Sequence, residues 1–589
     1  RPVQREVYEL CDRVGMLFQT DLPMFGAVRQ SCVEETARQA GEMEKLIRRH
    51  PAAVVSSFLN EPTPEKQTEA LRHRVVDRET IEDFFEVCIR YTRMYNPDRV
   101  IKTADGDYDP PPRHGMLDEH AYVCMHEDHG VEVGKLHKGE LFNVKAGWRC
   151  GVGEYGAEAL EPMHTMRKYY PAQWLPEDES DTNWTPDRIP FCQAWGWHHQ
   201  WYDRPDTIRG WIEASHHHQQ WAVRFMHEGF RRRADVINST TIHLLINSRP
   251  NNWLKALCSV DREPMPGYFS LVDANTPLAV NLRTDRHAIT GGEDLDAELW
   301  LLNDTPWRRH DLQAVYRIER DGEVWMIDRA PVGVGGVDAA FQGRLRWTTP
   351  RVDEPMPISV VASLLDAEGR VIHDHRIDVT LWPRIDTKTL AGRGVAVVGH
   401  EGGRGWRLAE AFGAEPRLWE AGAAADLVIL DDADMAQAVA GPLTTYLAGG
   451  GAALGLPQET GKRWPLGEDG VAVRLSRPHQ FVSRKTGHCV VEGFDPFHYS
   501  FWYHPELDRI THLMHAGLKG EGLCPITLTG MGLWYRAREE FPATGEKKVG
   551  SGRVILDQVE AFERMHAEPR AAAHLQRVLS YLLAKPATA

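Results

Sequence analysis

The sequence predicts a multidomain protein that combines α/β and all-β folds, and three observations support this prediction. Helices and short apolar strands alternate over residues 1–268, helical periodicity is absent between 269 and 385, and the alternation returns over 391–586. Alternating strands and helices are typical of a parallel sheet, whereas successive strands with turn signals are typical of a β-sandwich. The 589 residues are enough for three or four such domains.

Residues 1–268 show a regular alternation of helices and strands. Apolar residues at helical spacing predict the helices, and short β-branched or apolar runs predict the strands. The helices are expected at 3–14, 32–49 and 80–95, and the strands at 16–20, 54–61, 99–102, 121–124, 148–155 and 242–247. Strands joined by helices in this way indicate a parallel sheet that is either open or closed into a (β/α)₈ barrel.

Two of these strands end on a carboxylate. One ends on Asn60 and Glu61, and Pro62 then prevents a helix or strand ladder from continuing. The other ends on Glu154, with Gly153 directly before it. Active sites of α/β barrels lie at the C-terminal ends of the strands, although a solvated Glu at an ordinary strand end is the alternative for either residue alone. Two carboxylates on neighbouring strands can cleave a glycosidic bond, because one protonates the leaving oxygen while the other attacks or activates water.

Composition and charge exclude several classes of partner. A net charge of −16 argues against binding to nucleic acid or to an anionic membrane surface. No apolar run approaches the roughly 18 residues that a membrane-spanning helix needs. The nine cysteines form no CxxC pair, and the run 216–218 of three histidines cannot converge on one ion, because consecutive helical residues point about 100° apart. The sequence therefore predicts neither a metal nor another cofactor.

The two downstream segments predict different folds. Between 269 and 385, alternating apolar residues at 295–301 and a hairpin pattern at 358–372 predict an immunoglobulin-like β-sandwich. From 391 to 586, apolar strands such as 427–430 alternate with helices. This last pattern favours a flavodoxin-like or glutamine-amidotransferase-like α/β domain, a comparison made at the level of fold alone.

Four short motifs occur in a fixed order in the first segment. They are Cys11-Asp12-Arg13-Val14-Gly15-Met16-Leu17, His50-Pro51, Asn60-Glu61 and Gly153-Glu154-Tyr155-Gly156. In this order and spacing they resemble the catalytic barrel of glycoside hydrolase family 2, which holds β-galactosidases, β-mannosidases and β-glucuronidases. The β-sandwich that follows the barrel fits the domain order of the same family.

The resemblance implies a retaining, exo-acting β-glycosidase that hydrolyses terminal β-galactosides, β-mannosides or β-glucuronides, so that its partner is a glycoside or an oligosaccharide. The family's acid/base falls on Glu61, at the end of the fourth barrel strand. Its nucleophile falls on Glu154, at the end of the seventh. Asn60 would hydrogen-bond the sugar 2-hydroxyl, and Tyr122 is the candidate for the tyrosine that contacts the nucleophile.

The chain departs from the family pattern in three places. The resemblance begins just before the third barrel strand, so we expect residues 1–268 to form a catalytic barrel that lacks its first two strands. Gly153 stands where many members have Ser. The tryptophan that members often carry in the last strand is absent near Leu244, and the aromatic cluster of Trp195, Trp197 and Trp201 could replace that wall of the sugar pocket. Packing under a long loop is the alternative for this cluster.

A second interpretation of the whole chain stays open at this point. The protein could be a non-catalytic carbohydrate-binding or assembly protein built on an enzyme-like barrel. The intact pair of Glu61 and Glu154 favours the enzyme, whereas the lack of two barrel strands favours the binding protein. The sequence does not indicate which sugar is bound, in which compartment the protein works, or whether it forms a homo-oligomer.

Overall fold

A computed structural model shows the chain folded into two compact units. It describes residues 3–26, 28–62, 77–106, 108, 110–123, 132–140, 148–190, 198, 201–248, 255–479, 481–531 and 539–584. The first unit comprises 1–131, 139–157 and 225–245, and the second comprises 132–138, 158–224 and 246–589. Division into three domains, at 268 and between 385 and 391, remains a prediction. Among the described helices, none is both long enough and apolar enough to cross a membrane.

The first unit is built on six strands that pair in parallel. The strands are β1 (Phe18–Asp21), β2 (Ala53–Asn60), β3 (Val100–Asp105), β4 (Leu117–His120), β5 (Cys150–Tyr155) and β6 (Ile237–Ile242). They form two three-stranded sheets, in the orders β1-β2-β3 and β4-β5-β6. The helices Arg5–Val14, Val33–Ile47 and Arg78–Tyr95 alternate with the first three strands. The predicted alternation is therefore confirmed, and closure into a barrel remains a prediction.

The prediction of a strand at 121–124 is wrong in its position. The structure has β4 four residues earlier, and Ala121 to Val123 follow its end. Ala121 and Val123 are fully buried, so their apolar character reflects packing and not a strand. The true strand was missed because it carries buried polar side chains, Asp118 and His120, which a search for apolar runs passes over.

The strand expected at 242–247 is also displaced. The observed strand, β6, has the largely polar sequence Ile-Asn-Ser-Thr-Thr-Ile and exposes several of its residues. The apolar run begins only at its last residue, Ile242, and Leu245 beyond it is about half exposed, at 49%. The apolar run from which this strand was predicted therefore lies mostly beyond the end of the observed strand.

The two longer helices of the first unit bury one apolar face each. The helix Arg78–Tyr95 begins at Asp77, whose side chain accepts a hydrogen bond from the Thr80 N–H at 2.8 Å and so satisfies a backbone donor that the helix leaves unpaired. The residues that share one core across these helices and the sheet include Ala37, Ala40, Met43, Phe58, Phe84, Phe85, Cys88 and Ile101. Their spacing along each helix follows the 3.6-residue period from which the helices were predicted.

A buried ion pair joins the helix Val33–Ile47 to the residue directly before β3. Glu44 is fully buried, and both of its oxygens accept hydrogen bonds from the Arg99 guanidinium, at 2.8 and 2.9 Å. The side-chain amide of Asn96 donates a further hydrogen bond to Glu44 at 2.9 Å. Removing one partner of such a pair leaves the other charge buried and uncompensated.

We expect Glu44→Ala to destabilise the first unit by about 3–5 kcal/mol, the usual cost of stranding a buried charge. The urea midpoint of the unfolding transition measures the effect. Glu42→Ala is the matched control, because Glu42 lies on the same helix but pairs with Lys45 in solvent, where ion pairs contribute little. Equal midpoints for the two variants would show that the buried pair does not stabilise the fold.

The second unit contains two antiparallel sheets that enclose one apolar core. Their strands are β7 (Leu278–Arg283), β8 (Ala288–Thr290), β9 (Asp294–Asn303), β10 (Arg309–Arg320), β11 (Glu323–Val334), β12 (Asp338–Thr348), β13 (Met356–Leu365) and β14 (Val371–Trp382). One sheet has the order β11-β10-β13-β14-β8 and the other β12-β9-β7; only β8 pairs in parallel among these strands. The alternating residues Leu295, Ala297, Leu299 and Leu301 all join this core, as their spacing predicts. The predicted hairpin is β13 and β14.

A mixed seven-stranded sheet follows in the same unit. Its strands are β15 (Val395–Val398), β16 (Arg417–Leu418), β17 (Leu427–Leu430), β18 (Ala452–Gly455), β24 (Leu523–Met531), β25 (Glu539–Val549) and β26 (Gly552–Asp557). The order is β16-β15-β17-β18-β26-β25-β24, parallel as far as β26 and antiparallel beyond it. Smaller strands are β19 (Arg463–Trp464), β20 (Val471–His479), β21 (Tyr503–His504), β22 (Arg509–Ile510) and β23 (Met514–Lys519). The immunoglobulin-like and flavodoxin-like assignments remain predictions.

The remaining helices complete the description of the fold. They are Val133–Lys138, Met163–Tyr169, Ile208–Arg231, Pro266–Ala274, Arg404–Ala411, Ala433–Ala438, Ala440–Ala448 and Pro569–Leu583. The last of them buries Leu575, Val578, Leu579 and Leu582, which lie on one face at the spacing of an amphipathic helix.

Candidate active site

The ends of two parallel strands bring Glu61 and Glu154 together. Glu61 directly follows β2, and its backbone N–H donates to the carbonyl of Asp105, the last residue of β3, at 2.8 Å. Glu154 lies in β5. One oxygen of each carboxylate lies within 4.8 Å of the other. The two side chains are 26% and 20% exposed, so both remain open to a ligand.

A bulge in β5 sets the direction in which the Glu154 side chain points. In the pairing of β4 with β5, Val152 is opposite Glu119 and Glu154 is opposite His120, which leaves Gly153 without a partner in the ladder. An extra residue of this kind bends a strand and redirects the side chains that follow it. The bulge therefore places Glu154 on the side of the strand where it meets Glu61.

His120 lies between the two carboxylates. Its Nδ1 is 2.8 Å from Glu61 Oε1 and 3.5 Å from Glu154 Oε2, and its side chain is fully buried. Asp105 faces the other ring nitrogen, with 3.8 Å between Nε2 and Oδ1. Burial acts to lower the pKa of His120, but its contacts with Asp105 and Glu61 and the charge of Glu154 outweigh burial, so the pKa is raised well above its ordinary value.

Tyr122 contacts the second carboxylate directly. Its hydroxyl donates to Glu154 Oε2 at 2.5 Å. The Tyr122 ring is buried and stands edge-on to the rings of His120 and His243, with centroids 6.5 and 6.4 Å away. The structure thus brings Tyr122 to the residue that the family resemblance implies, although its role remains a prediction.

Asn60, Trp195 and Trp197 complete the predicted site residues. Asn60 is the last residue of β2 and is half-buried, and its contact with a sugar remains a prediction. Trp195 and Trp197 lie outside the described residues. Trp201, from the same aromatic segment, is buried in the second unit and its ring stacks on that of His218, at 5.2 Å between centroids.

A buried charged cluster lies beside the two glutamates. The Lys102 ammonium is 2.7 Å from Asp105 Oδ1 and 3.1 Å from Asp118 Oδ1, and all three side chains are almost fully buried. Gln19 donates to Asp105 Oδ2 at 3.1 Å and to Asp21 Oδ1 at 2.8 Å. The cluster therefore ties the ends of β1, β3 and β4 together.

The two aspartates of the cluster have opposite pKa shifts. Burial raises the pKa of Asp118 well above its ordinary value, and the charge of Asp105 adds to this. Burial also acts on Asp105, but contacts with His120 and Lys102 outweigh it and lower the pKa. Burial acts to lower the pKa of Lys102, and the charges of Asp118 and Asp105 raise it. The two adjacent buried carboxylates therefore titrate as a coupled pair, in which Asp105 favours the ionised form more strongly than Asp118 does.

Two groups of side chains have donor atoms close enough together to surround a cation. Within each group the atoms lie within 4.8 Å of one another; the groups are Glu61, His120 and Glu154, and Asp105, Asp118 and His120. Lys102 already contacts both aspartates of the second group, and the His120 ring itself lies against both carboxylates of the first. We assign neither group as a metal site, and the lack of a cofactor remains a prediction.

Sequence reasoning missed Lys102, Asp105, Asp118 and His120. One signal could have found two of them, because Asp118 and His120 are two residues apart and so lie on one face of β4. Two ionisable residues on one face of a strand of a parallel sheet indicate a site, since such sheets bury both faces.

Gly153 makes room for the charged cluster. A Cβ at this position would lie 2.2 Å from Asp118 Oδ2 and 2.3 Å from Asp105 Oδ1. Both carboxylates are held by Lys102, so neither can move away without breaking an ion pair. A side chain larger than that of glycine at this position would therefore collide with the charged cluster.

We expect Gly153→Ser to lower the free energy of unfolding by about 1–3 kcal/mol, the range for overpacking in a core. Asp118→Ala in the same chain should recover part of the loss, because it removes the nearest clashing oxygen. Gly441→Ala is the control, since a Cβ there has open space around it. If Gly153→Ser and Gly441→Ala melted at the same temperature, the close packing at Gly153 would be wrong.

Comparison with known proteins finds similarity to glycoside hydrolases over part of the chain. No protein-family model matches the chain. The β-glucuronidases of Rattus norvegicus and Mus musculus are each 28% identical to it over 176 residues, which is 28% of this chain and 25% of the relative. The chain therefore spans about a quarter of the length of the curated relatives that it matches. This similarity confirms the resemblance to family 2 of the glycoside hydrolases.

Solved structures overlap with the chain in part. The β-D-mannosidase from Dictyoglomus thermophilum superposes with a TM-score of 0.46 and 16% identity, over 67% of this chain and 46% of the mannosidase. The exo-chitosanase CsxA from Amycolatopsis orientalis superposes with a TM-score of 0.46 and 14% identity, over 64% of this chain and 44% of the chitosanase.

Proposed function

We propose that the protein is a retaining, exo-acting β-glycosidase whose nucleophile is Glu154 and whose acid/base is Glu61. The separation of the two carboxylates carries this proposal. One oxygen of each carboxylate lies within 4.8 Å of the other, an approach that fits the carboxyl groups of retaining enzymes, roughly 5–5.5 Å apart, better than those of inverting enzymes, roughly 6.5–9.5 Å apart. The position of both residues at ends of parallel strands supports the same conclusion.

In the proposed first step, Glu154 attacks the anomeric carbon and Glu61 supplies a proton to the leaving oxygen. Tyr122 donates to Glu154 Oε2, and His120 also faces that oxygen. Among the described residues, both contacts thus fall on Oε2, which leaves Oε1 available to form the glycosyl ester. In the second step water attacks the ester, and Glu61 takes the proton from that water.

The proposed substrates are terminal β-glucuronides, β-mannosides and β-galactosides. Sequence similarity to two β-glucuronidases supports testing the glucuronide first. The three-domain arrangement is part of the same proposal, with a catalytic barrel at 1–268, a β-sandwich at 269–385 and an α/β domain at 391–586.

A panel of 4-nitrophenyl β-glycosides tests the proposal on the intact protein. We expect hydrolysis of at least one member, and proton NMR of the first product should show the β-anomer before mutarotation. An initial α-anomer would contradict retention. Binding of the sugars without any hydrolysis would contradict the enzyme and favour the carbohydrate-binding protein.

A further inference from the structure

The imidazole of His120 has a carboxylate opposite each of its nitrogens. Glu61 and Glu154 face Nδ1, and Asp105 faces Nε2. Nδ1 lies 2.8 Å from Glu61 Oε1, a hydrogen bond, whereas Asp105 lies 3.8 Å from Nε2, close enough for charge attraction but too far for a hydrogen bond. Carboxylates on both sides of the ring therefore favour its protonated form by charge. Its raised pKa agrees with this geometry.

Among the described residues, the charged groups around the ring come from four strands. Glu61 directly follows β2, Asp105 lies on β3 and Glu154 on β5, while Asp118 shares β4 with His120 and its pKa is raised by burial. Lys102 contacts Asp105 and Asp118. Gly106 leaves room for the ring, because a Cβ at that position would lie 2.2 Å from His120 Cδ2.

We propose that His120 holds the proton that Glu61 passes to the leaving group, so that the Glu61–His120 pair, and not Glu61 alone, acts as the acid and base. This inference rests on the proposed function. His120 is a positioning residue in this scheme, since it acts on the substrate only through Glu61.

The proton and the electrons balance through both steps. As Glu154 bonds to the anomeric carbon, the carbon–oxygen bond breaks and its electron pair goes to the leaving oxygen. The Nδ1–H bond of His120 breaks, and its proton passes by way of Glu61 Oε1 to that oxygen. In the second step, the attacking water loses a proton to Glu61, which returns it to Nδ1 as the ester bond to Glu154 breaks.

The charge on Glu154 sets the timing of this transfer. While Glu154 is ionised, two carboxylates face Nδ1 and hold its proton. Forming the glycosyl ester removes the charge of one of them, so the ring holds its proton less tightly at the moment when the leaving oxygen needs it. Hydrolysis of the ester restores the negative charge of Glu154 and returns the proton to His120.

His120→Gln tests the proposal through the pH profile of kcat/KM. We expect the alkaline limb to move to lower pH by at least one unit. A phenyl glycoside should lose on the order of 10²-fold in rate at neutral pH, and a 2,4-dinitrophenyl glycoside of the same sugar much less, because a good leaving group needs little proton transfer. An unchanged pH profile with equal losses for both leaving groups would show a purely structural role and overturn the proposal.

A measurement independent of activity separates this inference from the proposed function. In ¹⁵N-histidine spectra, the signal that disappears in His120→Gln should show a cationic ring at pH 8, well above the ordinary histidine pKa of about 6.5. Asp105→Asn should lower the pKa of that ring. It also serves as the second variant if His120→Gln does not fold. A ring that is neutral at pH 8 would overturn the inference even in an active enzyme. A cationic ring in a protein that hydrolyses no glycoside would instead overturn the proposed function.

Discussion

Replacing Glu154 with glycine is expected to abolish turnover, with a loss of 10⁴-fold or more, the upper part of the range for a positioned catalytic group. Without the carboxylate, no glycosyl ester can form. The space that it leaves lies next to Tyr122 and His120, and this pair can receive a small anion. Azide or formate should therefore restore part of the activity with an activated glycoside, because the anion can attack the anomeric carbon in place of Glu154.

The rescued product distinguishes a nucleophile from a structural residue. Azide attacks in one step, so the glycosyl azide should have the α-configuration from a β-glycoside, which proton NMR of the product shows. Thermal unfolding of Glu154→Gly checks that the variant is folded. Turnover within a few-fold of the parent, or a β-configured azide product, would contradict the role of Glu154.

Replacing Glu61 with alanine is expected to slow hydrolysis much more for substrates with a poor leaving group than for substrates with a good one. A 2,4-dinitrophenyl glycoside needs no proton, so it should still form the ester on Glu154, and the ester should accumulate because water then lacks its base. Hydrolysis of a phenyl glycoside should fall by about 10²–10⁴-fold. A burst of dinitrophenolate followed by a slow steady state, measured by stopped flow, is the expected signature.

Azide provides the control for Glu61→Ala. It should speed the slow phase and yield a β-glycosyl azide, the opposite configuration from that of Glu154→Gly, because it attacks the ester from the face that Glu61 leaves open. Equal losses for both leaving groups without a burst would contradict the role of Glu61 as acid and base.

The two proposed catalytic residues could be found in the sequence because each lies where a strand ends. β2 ends on Asn60, directly before Glu61, and β5 ends one residue after Glu154. Tyr122 was found by resemblance alone. Its contact with Glu154 depends on the close approach of β4 and β5, which the order of residues does not give.

The charged cluster could not be predicted in the same way, because burial of an ionisable side chain depends on its partners. Lys102, Asp105 and Asp118 are polar residues that a sequence pattern assigns to the surface, yet each is held inside by another of the three. The buried polar side chains of β4 are also the reason why its position was predicted wrongly. Strand positions could be predicted where burial and apolar character coincide, as in β2, and failed where they separate, as in β4 and β6.

Identifying the residue that carries the glycosyl group tests the central claim most directly. The intact protein would be incubated with a 2,4-dinitrophenyl 2-deoxy-2-fluoro-β-glycoside of the sugar that it hydrolyses, since the fluorine slows breakdown of the ester, and the digested protein would be mapped by mass spectrometry. The account predicts one glycosyl group per chain, on Glu154, and none in Glu154→Gln. A label on a different residue, or continued turnover of the parent glycoside in Glu154→Gln at the wild-type rate, would contradict it.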